Sequence, residues 1–314
     1  MTVAAPEVAA PTEPVAKGEA LGVRQGGWFV RITILVVVVI WLIPTVGLVI
    51  TSFRDVDLIN STGWWTVFTQ GFSAADWTLE NYRAVFETRG FGNAFLNSLA
   101  ITVPATVIPI TIAAFAAYAF SWMDFRGRYV MFVAVVGLLV VPLQMALIPI
   151  LRLYTGGAQL GPVPLFPDLD LTGTYLAVWL AHTGFGLPLA IYLLRNYIGS
   201  LPSEIIESAR IDGADHFTIF WRLIVPLSVP ALAAFAIFQF LWVWNDLLVA
   251  LVFLGGTEEV RVLTVSLSAL AGQRGENFHL LTSAAFITMT LPLVVFFSLQ
   301  RYFVRGLTAG SVKG

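Results

Sequence analysis

Cysteine is absent from this sequence and charge is scarce. With no cysteine among its 314 residues, the chain can form neither disulfide bonds nor thiolate metal sites. Charged residues make up 11% of the chain, whereas a soluble domain carries about 25%. The formal net charge of −2 gives no basic excess that would suit a nucleic-acid partner. The composition therefore argues against a soluble protein and against a nucleic-acid-binding one.

Two familiar motifs are also missing. The chain has no GxxxxGK[ST] phosphate loop, so we expect it to bind neither ATP nor Mg²⁺ in that manner and to need no cofactor of its own. No cluster of His, Cys and carboxylate residues indicates a metal site. Residues 1–27 lack the apolar segment of a secretory signal peptide and are predicted to form a disordered tail.

Apolar residues, in contrast, make up 58% of the chain. They concentrate in runs that are each long enough to cross the ~30 Å hydrocarbon core as a helix at ~1.5 Å per residue. We therefore predict an all-α, polytopic membrane bundle of six transmembrane helices. The runs lie near 28–52, 92–122, 130–152, 173–196, 227–254 and 283–304.

The distribution of Lys and Arg predicts the orientation of the bundle. If both termini are cytoplasmic, 11 of the 17 basic residues lie on the inner side and 6 on the outer side. This excess agrees with the positive-inside rule, and an even number of spans agrees with termini on the same side. We expect a multi-pass protein, surrounded by lipid, with both termini cytoplasmic. The segment 200–226 is then a cytoplasmic loop.

That loop contains the charged, amphipathic stretch ESARIDGADHFTIFWRLIVP at 207–226. Ser200 and Ser203 are candidate N-caps of a first helix, and Gly213 suits a left-handed turn at its end. Asp215 is a candidate cap of a second short helix that ends before Pro226. Apolar residues at three- to four-residue steps predict one apolar face, formed by Ile206, Ala209, Gly213, Phe217, Phe220 and Ile224.

This amphipathic stretch has two interpretations. It could lie on the lipid surface, as amphipathic helices with Lys and Arg on the polar face do. Its polar positions include Glu207, Asp212 and Asp215, and carboxylates are unfavourable next to an anionic leaflet. A protein groove that buries the apolar anchors and leaves the mixed charges at its rim fits better.

The spacing of these residues resembles the coupling loop of ABC importer permeases, with its Glu-Ala-Ala…Gly signature. It departs from that signature at Ser208, where alanine is usual. In that family the loop docks into a cleft on a separate subunit, which binds and hydrolyses the ATP, so the resemblance implies that this chain is not an enzyme. It assigns coupling to Glu207, Ala209, Asp212, Gly213, Ala214, Phe217 and Phe220.

Other stretches narrow the resemblance to carbohydrate importers. WNDLL at 244–248 resembles the WNEFL stretch of carbohydrate permeases, and QRYFVRGLTAGSVKG at 300–314 resembles the end of the smaller permease subunit of maltose/maltodextrin transporters. The resemblance implies a location in a bacterial or archaeal inner membrane. It also implies three partners: a second, homologous permease, a dimer of ATP-binding subunits and an extracytoplasmic solute-binding protein. It also implies that the tail contacts the ATPase through Leu307, Thr308, Gly310 and Lys313.

Polar residues inside the predicted spans are candidates for the solute path. Asp246 is the most costly of them, because burying a carboxylate at mid-span costs ~2.5–3.5 kcal/mol. A structural role, in which Asp246 caps an interrupted helix or pairs with another span, is as favoured as a role in the solute path. Asn245 and Gln144 are further candidates, but Gln144 is favoured to bond a carbonyl freed by Pro142. Gln239 and Asn97 are expected to make helix–helix hydrogen bonds instead. His182 is expected to be a packed polar residue and not a proton relay.

The outer loop 255–282 contains the polar segment AGQRGENFH at 271–279. In related maltose permeases the corresponding loop reaches into the binding protein, and a plain solvated connector is an equally open interpretation. The candidate contact residues are Gln273, Arg274 and Asn277.

These expectations divide the chain into a cytoplasmic tail (1–27), an ABC permease transmembrane domain (28–306) with its coupling loop (200–226), and a cytoplasmic C-terminal tail (307–314). The expected function is import of a carbohydrate, such as an oligosaccharide or an α-glucoside of the maltose or trehalose type. The alternatives are an ABC permease for another solute, such as a polyol or glycerol phosphate, and a stand-alone secondary transporter with its own ion site.

Overall fold

The computed structural model describes residues 27–71, 73, 77–88, 90–271 and 277–309. The predicted tail 1–27 lies outside them except for its last residue. Within the described residues the chain is helical apart from one short antiparallel hairpin, so the all-α prediction is confirmed with that exception. The long helices are α1 (Trp28–Ser52), α5 (Phe91–Trp122), α8 (Tyr175–Ile198), α11 (Val225–Trp244) and α14 (Phe278–Ala309). The shorter elements are α2 (Val56–Ser61), α3 (Thr66–Gln70), α4 (Glu80–Glu87), α6 (Arg128–Gly137), α7 (Leu143–Gly156), β1 (Ala158–Leu160), β2 (Val163–Phe166), α9 (Ser203–Ile211), α10 (His216–Ile219), α12 (Leu248–Leu254) and α13 (Leu263–Ala271).

Five helices of the described chain are long and apolar enough to cross a membrane, and there are six if the bent pair of α6 and α7 is counted as one broken span. This matches the predicted number of spans. Residues up to Gly47 and residues from Leu48 onward form two separate compact units. The second unit contains every span after the first.

The third span is not the single helix that was predicted over 130–152. α6 continues as a 3₁₀ turn, and α7 then starts at an angle of 104°. The break lies at Pro142, which lacks a backbone donor and disfavours helical geometry in the residue before it. Val141 is accordingly extended, with φ −72° and ψ 115°. A continuous apolar run was thus wrongly taken for a continuous helix.

The fifth span also differs from its predicted range, 227–254. It starts at His216, because α10 passes through a π turn (Phe220–Ile224) directly into α11. It ends at Trp244, and three residues separate it from α12. The predicted helix end before Pro226 is therefore wrong. A π turn skips one backbone hydrogen bond and a proline lacks one donor, so the two are compatible at adjacent positions.

Small residues allow α5 and α8 to pack closely. Ala113, Ala117 and Ala190 are all fully buried in one apolar cluster that joins the two helices. Alanines at such positions let the two backbones approach each other, which is how membrane helices gain packing contacts without a hydrophobic driving force between them.

Neighbouring spans supply donors to three carbonyl groups that prolines leave without a helical partner. Pro109 in α5 removes the N–H that would bond Ala105 O four residues earlier, and Gln239 Nε2 of α11 donates to that oxygen at 3.0 Å. The predicted helix–helix role of Gln239 is thereby confirmed. The same arrangement occurs twice more. Trp179 Nε1 donates at 3.1 Å to Ala100 O, the carbonyl that Pro104 leaves unbonded. Trp244 Nε1 donates at 3.2 Å to Thr288 O, the carbonyl that Pro292 leaves unbonded.

The segment after α12 is fastened to the start of α5. Asn97 Nδ2 donates to Glu259 O and to Arg261 O, both at 2.9 Å. Its Oδ1 accepts from the Tyr175 hydroxyl of α8 at 2.7 Å, which confirms the predicted helix–helix hydrogen bond. Leu263 N donates to Ser98 Oγ at 2.8 Å, and Leu263 is fully buried. The predicted outer loop 255–282 therefore includes a packed part around the start of α13.

Candidate functional site

The loop between α8 and α11 begins with the predicted helix and turn. After α9, Gly213 takes a φ of +82°, in the left-handed region. Gly213 N donates to Arg210 O at 3.0 Å and Ala214 N donates to Ala209 O at 2.9 Å. These two bonds form a Schellman motif, which explains why glycine follows the helix end.

The two predicted caps of this loop have different outcomes. Pro202 occupies the N-cap position of α9 and forms no side-chain bond there, so the prediction of Ser200 or Ser203 is wrong. Asp215 does cap α10, accepting a hydrogen bond from Thr218 N at 2.8 Å. Hydrogen bonds from Thr218 lower the pKa of Asp215 from its ordinary 3.8, so the capping carboxylate is charged at neutral pH.

One face of the loop is buried. Ile206, Ile219, Phe220 and Ile224 are each at most 3% exposed and belong to an apolar cluster shared with α5 and α8. Phe220 therefore packs between the loop and the ends of α5 and α8 and is not accessible to a partner, contrary to its predicted role. Phe217 is 67% exposed, so its predicted place on the same face is wrong. The turn at Gly213 interrupts the helical repeat on which that prediction relied.

The other face carries the residues that a partner could contact. Ile211 is 86% exposed, and Glu207, Asp212 and Gly213 are exposed with it. Together with Phe217 they combine large apolar side chains with carboxylates, which is typical of a protein docking surface. The remaining candidates, Ala209 and Ala214, are half-buried and pack against the apolar cluster beneath the loop.

Asp246 lies between α11 and α12 and not inside a continuous helix. Its carboxylate caps α12, accepting from Val249 N at 3.3 Å and from Ala250 N at 2.9 Å. His182 Nε2 of α8 lies 3.7 Å from Asp246 Oδ2. Of the two structural roles considered for this carboxylate, the cap is present, whereas the imidazole of α8 lies beyond hydrogen-bond distance.

The space beside this pair is too small for a sugar. A cavity of about 10 Å³ adjoins His182 and Asp246, and it is also lined by Ser98, Thr102 and Thr264. Such a volume is at the lower limit for one water molecule. His182 is fully buried, as expected for a packed polar residue. Asp246 therefore has a structural role at the break.

Asn245 and Gln144 have a different setting, because both side chains are exposed. Asn245 Nδ2 donates to Leu241 O at 2.7 Å, and its amide oxygen has no partner among the described residues. The Gln144 amide forms no hydrogen bond within the described ranges, so its predicted bond to a freed carbonyl is wrong. Each amide lies beside a helix break, Gln144 after Pro142 and Asn245 after the end of α11.

The remaining candidates lie near the edges of the described chain. Asn277 is exposed immediately before α14, whereas Gln273 and Arg274 lie outside the described residues. Leu307 and Thr308 belong to the last turn of α14, so the helix continues past the predicted start of the C-terminal tail. Gly310 and Lys313 lie outside the described residues.

Comparison with known proteins places these features in a family. The profile of the family described as binding-protein-dependent transport system inner membrane component matches residues 95–309. An osmoprotective compounds uptake permease of Synechocystis is 60% identical, over 90% of this chain and 91% of that protein. An α-glucoside transport system permease of Rhizobium meliloti is 45% identical, over 91% and 97%. A trehalose transport system permease of Mycobacterium tuberculosis is 34% identical, over 76% and 82%.

A solved structure shares the fold. One chain of a bacterial ABC transporter involved in the import of the acidic polysaccharide alginate superposes with a TM-score of 0.66 and 22% identity, over 88% of this chain and 95% of that one. The arrangement of spans described above is therefore a known fold, shared with that transporter chain.

Proposed function

The chain belongs to the family of binding-protein-dependent transport system inner membrane components, and we propose that it forms half of the translocation path of an importer for an uncharged α-glucoside. It is a permease subunit of an ABC sugar importer and not an enzyme, because ATP hydrolysis in this class of transporter belongs to a separate subunit. The alternatives of a non-carbohydrate solute and of a stand-alone secondary transporter are not favoured.

The names of the relatives support the substrate class. The α-glucoside and trehalose permeases act on α-linked glucose units, and the relative with 60% identity is named for osmoprotective compounds. A small, neutral glucoside that cells accumulate under osmotic stress satisfies all three descriptions. This agreement is the observation that carries the proposal.

The two helix breaks support a path for a neutral solute. Non-helical backbone at membrane depth is tolerated only where it is buried in protein or lines a water-filled cavity. At the third span the residues of the break are not covered by this chain, since Val140 is 82% exposed and Val141 is 54% exposed. The exposed polar side chains beside the breaks, Gln144 and Asn245, are uncharged amides, which suit sugar hydroxyls better than phosphate groups. We place both amides on the path shared with a second permease.

The exposed face of the loop 200–226 is proposed to dock on the ATPase. Glu207 and Asp212 would meet its rim, and Ile211 and Phe217 would fill its cleft. The excess of Lys and Arg on that side supports a cytoplasmic position of the loop and of both termini. The segment around Asn277, together with Gln273 and Arg274, would then face the extracytoplasmic solute-binding protein. The C-terminal residues Leu307, Thr308, Gly310 and Lys313 are proposed as a second contact with the ATPase dimer.

Purification of the complex and a sugar panel test this proposal. The chain would be isolated in mild detergent with its co-eluting subunits, reconstituted in nanodiscs with the solute-binding protein, and tested for sugar-stimulated ATP hydrolysis. We expect stimulation by trehalose, maltose or a glucosylated polyol and none by glycerol phosphate. Stimulation by glycerol phosphate alone, or solute movement by the isolated chain in vesicles, would refute it.

A further inference from the structure

We propose that α5 transmits motion between the two faces of the membrane, and that Tyr118 and Arg210 are positioning residues that clamp the coupling loop to its end. This inference rests on the proposed function of the loop. Chain connectivity links the loop only to α8 and, through the π turn, to α11. Contacts of the folded chain add α5 as a third attachment, and those contacts carry the proposal.

The first clamp is a hydrogen bond from the coupling helix to the end of α5. Arg210 Nη2 donates to Trp122 O at 2.9 Å. Trp122 is the last residue of α5, where carbonyl groups lack helical partners and a cation is favourable. The Trp122 indole in turn donates to Ile198 O at 3.1 Å, which joins the ends of α5 and α8. The guanidinium group of Arg210 is therefore bonded within this chain, at the end of α5.

The second clamp lies one turn earlier on α5. The Tyr118 hydroxyl and His216 Nδ1 are 2.8 Å apart, so α5 is bonded to the start of α10 as well. Phe115 stacks on Phe220, with ring centroids 4.4 Å apart at 20°. Positions 115, 118 and 122 follow the spacing of a single helix face. This face of α5 therefore holds the loop on both sides of the turn at Gly213.

The opposite end of α5 is fastened to the segment before α13 by Asn97 and Ser98, as described above. With 32 residues at 1.5 Å each, α5 is about 48 Å long. In the proposed orientation it thus joins the ATPase-facing loop to the outer segment 259–263. A displacement of the loop must then move α5, or break bonds at one of its ends. This is a contiguous physical link between the two faces.

The decisive experiment compares clamp variants with a matched control in the complex reconstituted in sealed vesicles, where uptake can be measured. Tyr118→Phe keeps the ring contacts and removes the hydroxyl, and Arg210→Met removes the charged donor. We expect sugar uptake per ATP hydrolysed to fall about tenfold in the double variant, because two hydrogen bonds are lost, while the ATPase still co-elutes. Arg210→Lys should restore part of the ratio. Arg222→Met removes an exposed arginine of the same loop and should leave the ratio unchanged.

A distance measurement separates clamping from a general folding defect. Because the chain has no cysteine, spin labels can be placed at Arg126→Cys and Ser208→Cys without further changes. We expect the label distance to stay constant between nucleotide-free and ATP-bound complexes, and to change only in the double variant. A distance that changes in the otherwise unaltered protein, or a double variant with wild-type uptake per ATP, overturns the proposal. If the unaltered complex shows no sugar-stimulated ATP hydrolysis, the proposed function fails instead, and the label distance still tests the clamp.

Discussion

Replacement of Gln239 by leucine tests whether side-chain donors replace the bonds that prolines remove. Gln239 is 2% exposed, Ala105 is fully buried, and the amide of Gln239 donates to Ala105 O at 3.0 Å. Leucine has a similar size but no donor. The variant would leave the Ala105 carbonyl without a partner, because Pro109 offers no N–H four residues later.

The expected loss is modest. An unsatisfied buried polar group costs ~1–3 kcal/mol in soluble proteins, whereas hydrogen bonds between membrane helices average ~0.6 and reach ~1.7 kcal/mol. We therefore expect Gln239→Leu to cost ~1 kcal/mol. For a chain of this size that corresponds to a fall of about 2 °C in the thermal midpoint measured in detergent.

A double-mutant cycle identifies the cause. Pro109→Ala supplies a backbone N–H to Ala105 O, so Gln239→Leu should cost much less in that background. Gln144→Leu, which replaces an exposed amide, is the matched control and should leave the midpoint unchanged. If Gln239→Leu is equally destabilising with proline or alanine at position 109, the reasoning is refuted.

Three further outcomes are expected. Asp246→Ala removes the cap of α12 and should cost ~0.5–2 kcal/mol in thermal unfolding; Asp246→Asn keeps an acceptor and should cost less, and equal losses would contradict the capping role. Gly213→Ala places a side chain at φ +82° and should cost ~1–2 kcal/mol and weaken uptake, whereas Gly213→Asn should be tolerated; equal uptake by both variants would argue against the turn. Because the pKa of Asp215 is lowered in the fold, its carboxylate stabilises the folded protein fully above pH 3.8 and loses this effect as the pH falls further. The difference in thermal midpoint between wild type and Asp215→Ala should therefore be constant from pH 8 to about 5. A difference that shrinks in this range would contradict the capping role.

The sequence was sufficient for the number of spans, the turn at Gly213 and the cap at Asp215. Each follows from short-range chemistry: run length, a left-handed backbone position, or a carboxylate beside exposed N–H groups. Phe217 was misplaced because its assignment assumed that one helical repeat continued across the turn. Asp246 was left between a functional and a structural role, since the choice depends on the helix break after Trp244, which apolar composition does not reveal.

The two broken spans were missed for a related reason. Apolar composition reports where a segment is soluble in lipid, and it does not report whether the backbone within that segment is continuous. Pro142 breaks the third span, whereas Pro104 and Pro109 lie inside an unbroken α5. In α5 the carbonyls that the prolines leave unbonded, Ala100 O and Ala105 O, accept from donors of other spans. Pro149 and Pro188 also lie inside unbroken helices, so a proline in an apolar run does not by itself predict a break.

The hydrogen bonds between side-chain donors and the carbonyls freed by prolines also determine the register of neighbouring helices along their axes. Apolar side chains pack against each other in several registers with similar energy, because lipid and protein are almost equally apolar. A shift of α11 along its axis by one turn, about 5.4 Å, would separate Gln239 from Ala105 O and Trp244 from Thr288 O at once. Hydrocarbon offers these carbonyls no alternative donor. The prolines of α5 and α14, which weaken their own helices, thus fix the register of the helix between them.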